Sequence, residues 1–429
     1  MHVYRILDRP LGKFLILTVF PFFLFSAYGQ IPPETAVDQA NRELWGKFID
    51  KYGIVNNFVG ERPTPFDCRL SRPNAFGWWT PIEDGAFYTG NYLVATCKRA
   101  EFTQSDTDRD KARILAQGLL RLASVSDVPG FIARGVSTDG KTHYPIGSND
   151  QSFPWFYGLY TYYKTDIPSS KEKEIIKKKI VEVVDAIRLN NWRFPSDGTF
   201  TGDYRDSNLD NRFLDVPLYL CMLRVMFEIT SDESWLNWYH RALNQKPEGA
   251  EMTRAEICSE GIQYDVKRMG LSEKGTYLWI CVAKQAALAE LSKLEKDESI
   301  RSYFSKGLNR NREFVMKFAN NFSEFDNHDS KVFGNTNWRE CYPYWHPQFT
   351  LEDAISVAGM RENEKIGRRK AYEREFATTP LAAASIIALA EQPNDFKLIE
   401  KVVSHYDYSK LYLSEFLYAE YAFYKVKRN

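Results

Sequence analysis

Hydrophobic and polar residues follow two helical patterns along this chain. The first pattern is amphipathic and is clearest over 171–190, where one helical face carries Ile176, Ile180, Val183, Val184 and Ile187 and the other face carries lysines and glutamates. The second pattern is apolar on nearly all sides, and over 276–291 its strongly polar positions are Lys284, Gln285 and Glu290. A helix of the first kind buries one face, whereas a helix of the second kind must be covered all round.

The two patterns alternate strictly along the sequence, six times each. The amphipathic stretches cover 34–52, 108–124, 171–190, 232–245, 298–320 and 394–404. The apolar stretches cover 82–99, 150–164, 214–229, 274–292, 379–391 and 410–426. With hardly any strand signal between them, this order predicts an all-α fold. We expect an (α/α)6 toroid, or six-hairpin barrel, of about twelve alternating inner and outer helices in a single domain over 30–429.

A superhelical repeat array and an irregular bundle are the alternative all-α architectures. A repeat array has a fixed short period with recurring residues, and this chain has no such period. The segments before the apolar helices are instead long and variable, at 124–149, 191–213, 246–272 and 321–376. Because loops on one rim of a ring can form a site together, we expect functional residues in these segments.

Three short sequence signals predict helix starts. Thr80-Pro81-Ile82-Glu83 combines a capping box with proline at the first helical position. Ser169-Ser170-Lys171-Glu172 is a second capping box, and Thr379-Pro380 opens a third helix in the manner of the first. These signals fix the register of the predicted helices.

The first 29 residues have the features of a secretory signal peptide. Arg5, Arg9 and Lys13 form a basic region, an apolar run follows over 14–25, and Ala27-Tyr28-Gly29 offers small residues for cleavage. No later segment is apolar for about 18 residues, so we expect no stable membrane insertion after cleavage. The sequence therefore predicts a periplasmic or secreted protein.

Composition narrows the classes of function. Basic and acidic residues number 56 each, which gives no indication of a nucleic-acid partner. The chain has no HExxH, CxxC, phosphate-binding glycine loop or nucleophile elbow, so we expect no metal and no cofactor. Aromatic residues make up 15% of the chain. Aromatic side chains beyond those needed for the core suit a site that stacks on sugar rings.

The six cysteines do not form an obvious disulfide framework. Three lie inside apolar helical runs, where a free thiol acts as a small hydrophobic group: Cys97, Cys221 and Cys281. Three others lie in predicted loops, where one pair could be bridged: Cys68, Cys258 and Cys341.

Candidate chemistry concentrates at the starts of the first two apolar helices. The run Trp78-Trp79-Thr80-Pro81-Ile82-Glu83-Asp84 places two aromatic rings before two carboxylates, and Ser148-Asn149-Asp150 opens the next apolar helix with Trp155 one turn on. Glu83 is expected to close the capping box, and Asp84 and Asp150 also suit the helix dipole. In a ring, Asp84 and Asp150 would share one rim and could divide the roles of general acid and general base.

The segment from Trp78 to about Lys164 resembles the six-hairpin glycosidase superfamily. It is similar in layout to the unsaturated glucuronyl and rhamnogalacturonyl hydrolases, which carry an aromatic, glycine-rich first inner helix and two aspartates on successive inner helices. The resemblance implies that Asp150 is the acid/base and Asp84 its partner. It also implies an unsaturated uronic sugar as substrate. The chain departs from this resemblance at the second aspartate. It has Asn149-Asp150 there, and not a His-Asp or an Asp-Asp pair.

Further residues could bind the substrate. The polar segment 202–212 contains Arg205 and Arg212, which could bind a sugar carboxylate in bidentate fashion. The segment 335–347 adds Trp338, Arg339, Tyr344 and His346. Together with Trp79 and Trp155 near the aspartates, these residues predict a surface for an oligosaccharide.

These observations favour an exported glycoside hydrolase that acts on acidic oligosaccharides or polysaccharides by carboxylate acid/base catalysis. One alternative is a polysaccharide lyase or sugar epimerase, in which Tyr344 and His346 move protons and Arg339 neutralises a uronate. Another is a sugar-binding toroid without catalysis, because fold alone does not determine function.

Overall fold

The protein is predominantly helical. The computed structural model describes residues 31–329, 338–339, 345–360 and 367–427, and the part that begins at Ile31 is one compact unit. The helices are α1 (Pro33–Lys47), α2 (Pro65–Arg69), α3 (Gly85–Thr103), α4 (Asp106–Leu122), α5 (Asn149–Lys164), α6 (Ser170–Leu189), α7 (Val216–Thr230), α8 (Glu233–Asn244), α9 (Arg254–Glu260), α10 (Ile262–Met269), α11 (Leu278–Leu294), α12 (Glu298–Ala319), α13 (Leu351–Gly359), α14 (Gly367–Glu373), α15 (Thr379–Leu389), α16 (Phe396–Val403) and α17 (Tyr418–Val426). Two short antiparallel strands pair with each other, β1 (Arg193–Pro195) and β2 (Tyr204–Ser207).

Each stretch that the hydrophobic pattern predicted contains one helix. The burial of these helices follows the two patterns. Every residue of α15 is buried, whereas α6 buries a single stripe of Ile176, Ile180, Val183, Val184, Ala186 and Ile187. The capping box at the start of α6 is formed as predicted, with the Ser169 side chain accepting from the Glu172 amide and the Glu172 side chain accepting from Ser169.

The most buried helices contact one another in a series. Helix α3 contacts α5, α5 contacts α7, α7 contacts α11, α11 contacts α15, α15 contacts α17, and α17 contacts α3. The amphipathic helices pack against members of this series: α1 and α16 against α17, α4 against α3, α6 against α5, α8 against α7, and α12 against α11 and α15.

The contact between α3 and α5 depends on two glycines. A methyl group added at Gly90 would lie 2.0 Å from the carbonyl oxygen of Pro154, and one added at Gly158 would lie 2.7 Å from the carbonyl oxygen of Gly90. The two backbones therefore approach more closely than any side chain at these positions would allow.

One of the predicted helix starts is wrong. Residues 81–84 form a turn, and α3 begins at Gly85, so Glu83 does not close a capping box. Its carboxylate accepts instead from the amide of Trp79 at 2.7 Å and from the side chain of Asn57 at 3.1 Å. The Asn57 side chain also donates to Asp84. Asn57 is 26 residues before Glu83 in sequence, so a tertiary contact holds residues 83 and 84 outside the helix.

The α-helix predicted to open at Thr379-Pro380 begins there, but it does not follow a loop. The chain is already helical in α14 and passes through one π-helical turn, Arg374–Thr378, directly into α15. Pro380 has no amide hydrogen to donate to the preceding turn. The π-helical turn before it is wider than an α-helical turn and accommodates the proline. The last apolar stretch also begins later than predicted, because 3₁₀ turns precede α17.

The predicted loops contain structure that the hydrophobic pattern did not predict. They hold the two strands and the short helices α2, α9, α10, α13 and α14.

Cys68 lies in α2 and Cys258 in α9 rather than in loops. The five cysteines within the described residues are free and buried, whereas Cys341 lies outside the described residues. In the described ranges, no helix combines the length and the hydrophobicity that crossing a bilayer requires.

Candidate active site

The starts of the buried helices meet at one end of the bundle. Gln151 of α5 accepts from the amide of Phe87 in α3, and Asn149 of α5 donates to Asp215, the residue before α7, at 2.8 Å. The Tyr418 hydroxyl at the start of α17 donates to the carbonyl oxygen of Trp279 near the start of α11. Asp84 and Asp150 both lie at this end, one immediately before α3 and one in the first turn of α5.

Asp84 is held by three hydrogen-bond donors. Its Oδ1 accepts from Arg134 Nη1 at 3.0 Å and from Gln151 Nε2 at 2.7 Å, and its Oδ2 accepts from Asn57 Nδ2 at 3.0 Å. The residue is 8% exposed. A carboxylate so deeply buried needs such donors, because removal from water otherwise disfavours its charge.

Arg134 connects Asp84 to Asp150. While Nη1 binds Asp84, Nη2 donates to the Ser148 hydroxyl at 2.9 Å. The Ser148 hydroxyl in turn donates to Asp150 Oδ1. Arg134 is itself fixed by the carbonyl oxygens of Glu83 and Ile146. The two aspartates therefore belong to one hydrogen-bonded network.

The surroundings of the two aspartates differ. Burial, together with the adjacent Glu83 carboxylate, raises the pKa of Asp84, although Arg134 opposes the shift. Burial also raises the pKa of Asp150, but the positive charges of Arg134 and Arg205 and the hydrogen bond from Ser148 outweigh it, so this pKa lies below its usual value. Asp150 is also partly exposed. A partly buried carboxylate with a lowered pKa thus belongs to the same network as a buried carboxylate whose pKa is raised.

Arg205 lies beside Asp150 with donor capacity to spare. Its guanidinium packs over the rings of Phe76 and Trp78, with its carbon 4.7 Å and 5.4 Å from the ring centroids. Its Nε pairs with Asp206 at 3.5 Å. Within the described residues, its buried Nη1 has no hydrogen-bond partner. This group could bind a carboxylate of a substrate.

Further charged groups line the same end of the bundle. Burial raises the pKa of Asp215 to about 6, against the opposing charge of Arg212, whose Nε donates to it at 2.6 Å. Lys284, from the second turn of α11, is 3% exposed. Burial lowers its pKa, although the charges of Asp215 and Asp150 oppose the shift.

The remaining predicted binding residues are distributed unevenly. Trp79 is near the site: it has a left-handed backbone with φ of 72°, is partly exposed, and donates its indole Nε1 to the carbonyl oxygen of Ala358. Trp155 is 0% exposed and donates its indole to the carbonyl oxygen of Leu119, so it is part of the core between α4 and α5 and not of a ligand surface.

Two residues of the segment expected to supply a lyase site, Trp338 and Arg339, contact other parts of the chain. Trp338 is 3% exposed and donates to the carbonyl oxygen of Glu61. Arg339 binds Asp67 at 2.8 Å and Glu61 at 3.2 Å, so its charge is already paired with two carboxylates. His346 is exposed, and Tyr344 lies outside the described residues.

Sequence reasoning missed several members of the network. Asn57, Arg134, Ser148 and Gln151 are polar side chains from three different segments that contact the paired aspartates or each other. Arg134 directly follows the apolar run Phe131-Ile132-Ala133. A single charged residue beside such a run is a sequence signal for a buried charge. Lys284 had a comparable signal, because it interrupts an apolar helix.

Comparison with known protein families, with curated proteins and with solved structures found no match for this chain. Among the described residues, no group of three or more histidine, cysteine, aspartate or glutamate side chains could hold a metal ion.

Proposed function

We propose that the fold is an (α/α)6 toroid. The support is the cyclic order of contacts among α3, α5, α7, α11, α15 and α17, with an amphipathic helix before each of them in the chain. An inner ring surrounded by an outer ring accounts for both features. In this architecture the starts of all six inner helices lie on one rim.

We propose that the protein is a glycoside hydrolase whose reacting pair is Asp84 and Asp150. The observation that carries this proposal is the network through Arg134, which joins two carboxylates with opposite pKa shifts. Asp150, ionised and accessible, removes a proton from the attacking water. Asp84, whose pKa is raised, supplies the proton that the leaving group takes up, directly or through one water.

An acidic oligosaccharide is the substrate class that the charges favour. Arg205 has an unpartnered Nη1 among the described residues and is held over two aromatic rings beside Asp150. Arg212 at the same end is paired with Asp210 and Asp215, so Arg205 is the group on which this preference rests. A uronic acid would offer a carboxylate to Arg205 and its sugar ring to Trp79.

Export remains part of the proposal. The signal features over 1–29 lie outside the described residues. A periplasmic or extracellular location would bring the enzyme to polysaccharide fragments before they enter the cell.

The proposal is tested by turnover of acidic oligosaccharides, measured as new reducing ends. We expect Asp150→Asn to lower kcat by at least about 100-fold, because it removes a general base. Asp84→Asn should remove the alkaline limb of the pH profile of kcat/KM, since that limb reports loss of the Asp84 proton. The control is Asp106→Asn, the same change at an exposed first-turn aspartate of α4, which should leave turnover unchanged.

Unchanged turnover in Asp150→Asn would refute the assignment. New absorbance from a carbon–carbon double bond during digestion would instead indicate a lyase.

A further inference from the structure

The opposite end of the helical bundle contains a large cavity. Its volume is about 1020 Å³, and it is lined by the last turns of α3, α5 and α11, by α12, by the residues after α15, and by α17. Helix α3 has 19 residues, so at 1.5 Å per residue its two ends are about 28 Å apart. No residue of the network that joins Asp84 and Asp150 lines the cavity, and Tyr157, the lining residue of α5 nearest to Asp150, is seven residues or about 10 Å along the helix from it. Its volume is at the upper end of the roughly 300–1,000 Å³ of ligand sites.

Tyrosines supply the aromatic part of the lining. Tyr157 and Tyr160 from α5 and Tyr421 from α17 face this cavity. The Tyr160 hydroxyl donates to Glu290 at 3.1 Å. Burial and the nearby Glu290 carboxylate raise the pKa values of Tyr157 and Tyr421. A ligand in the cavity would therefore meet flat apolar rings whose protonated hydroxyls can form hydrogen bonds.

Glu290 is the buried polar centre of the cavity. It is 8% exposed, and its Oε1 accepts both from Tyr160 and from Lys164 Nζ, the latter at 2.9 Å. Its Oε2 takes part in neither bond. An ionised carboxylate accepts up to about four hydrogen bonds, so Glu290 could also accept from ligand hydroxyls.

The charges around the cavity largely compensate one another. Lys98 pairs with Glu101 at 2.6 Å, Lys425 with Glu391 at 2.5 Å, and Lys164 with Glu290. Asp166 pairs with Arg109, which approaches from α4. A ligand with a net charge of either sign would have to compete with these pairs, whereas a neutral ligand would not.

We propose that this cavity binds a neutral polyhydroxylated ligand, a mono- or oligosaccharide, at a second site separate from the paired aspartates. Hydroxyl groups of such a ligand both donate and accept, which matches Glu290 and the tyrosine hydroxyls. Its apolar C–H faces match the tyrosine rings. The proposal does not depend on the proposed hydrolase activity, because binding at this end requires no turnover.

The test is calorimetric titration of the protein with cellobiose, maltose and lactose, and with digalacturonic acid for comparison. We expect saturable binding of at least one neutral disaccharide. The double variant Tyr157→Phe, Tyr421→Phe should weaken it at least about fivefold, because it removes two hydrogen bonds to the ligand. The matched control is Tyr163→Phe, the same change on α5 at a residue that does not line the cavity.

Arg205→Ala, at the opposite end, should leave this binding unchanged. The proposal is overturned if none of the three neutral disaccharides binds, or if Tyr163→Phe weakens binding as much as the double variant does. It is also overturned if Arg205→Ala abolishes binding while the double variant retains it, or if digalacturonic acid is the preferred ligand of the cavity.

Discussion

Arg134 illustrates how a single buried side chain can organise a site. It is 2% exposed and donates to Asp84, to the Ser148 hydroxyl and to the carbonyl oxygens of Glu83 and Ile146. A buried ion pair adds little net stability when it forms. Removing one partner is different, because the other charge then remains buried without compensation.

We therefore expect Arg134→Met to lower the free energy of unfolding by about 3–5 kcal/mol, measured by guanidinium denaturation at about pH 9, which is above the raised pKa of about 7 at which Asp84 loses its proton. The control is Arg109→Met: its partner Asp166 has a side chain that is 80% exposed, and surface pairs contribute about 0–1 kcal/mol. Adding Asp84→Asn to Arg134→Met should recover part of the loss. Equal effects of the two arginine substitutions would show that Arg134 does not compensate Asp84.

At the scale of the elements, the packing of α3 on α5 brings the two aspartates within one network. Gly90 and Gly158 allow the two backbones to meet. Asp84 directly precedes α3, and Asp150 lies in the first turn of α5. Separation of the two helices would therefore also lengthen the hydrogen bond between Gln151 and Asp84.

Gly90→Ala should consequently destabilise the protein and reduce turnover, because the new methyl group would lie 2.0 Å from the Pro154 carbonyl oxygen. Overpacking of this kind costs about 1–3 kcal/mol. Gly46→Ala, within α1, meets nothing within 4 Å and should stabilise the protein by about 0.5–1 kcal/mol. Thermal denaturation compares the two variants, and a stabilising effect of Gly90→Ala would contradict the close approach.

At the scale of the whole molecule, α17 packs against helices from both the N-terminal and the C-terminal parts of the described residues. It contacts α1 and α3 as well as α15 and α16. Its Glu420 is fully buried and accepts from the Asn41 side chain of α1 and from the Tyr92 hydroxyl of α3. In an open repeat array, a terminal helix contacts only its neighbour in sequence, and its loss has a local effect.

A chain that ends at Leu417 should therefore lose its cooperative thermal transition and become sensitive to limited proteolysis throughout. A chain that ends at Val426 keeps α17 and loses the exposed ion pair of Lys427 with Glu34, so its midpoint should move little. If the shorter chain retained a transition near the original midpoint, the structure would be an open array and not a closed ring.

Hydrophobic periodicity predicted the helices well because it reports burial directly. The apolar helix α15 is buried on all sides, and α6 is buried along one stripe. Glu290 and Lys284 stood out in an apolar helix and proved to be buried polar groups. Short elements such as α2 and the β1–β2 pair escaped prediction, because a few residues carry too little periodicity to detect.

The hydrophobic pattern alone predicted the twelve main helices, the two ways in which they are buried, and the position of Asp84 and Asp150 near helix starts. The polar side chains that surround them could be identified from the folded chain alone, because Asn57 and Arg134 are distant from both aspartates or from one of them in sequence. The tertiary structure also decided that Trp155 belongs to the core and that Arg339 is paired with Asp67. Periodicity is a local property of one helix, whereas a site is formed by contacts between segments whose separation along the chain is unrelated to their distance in space.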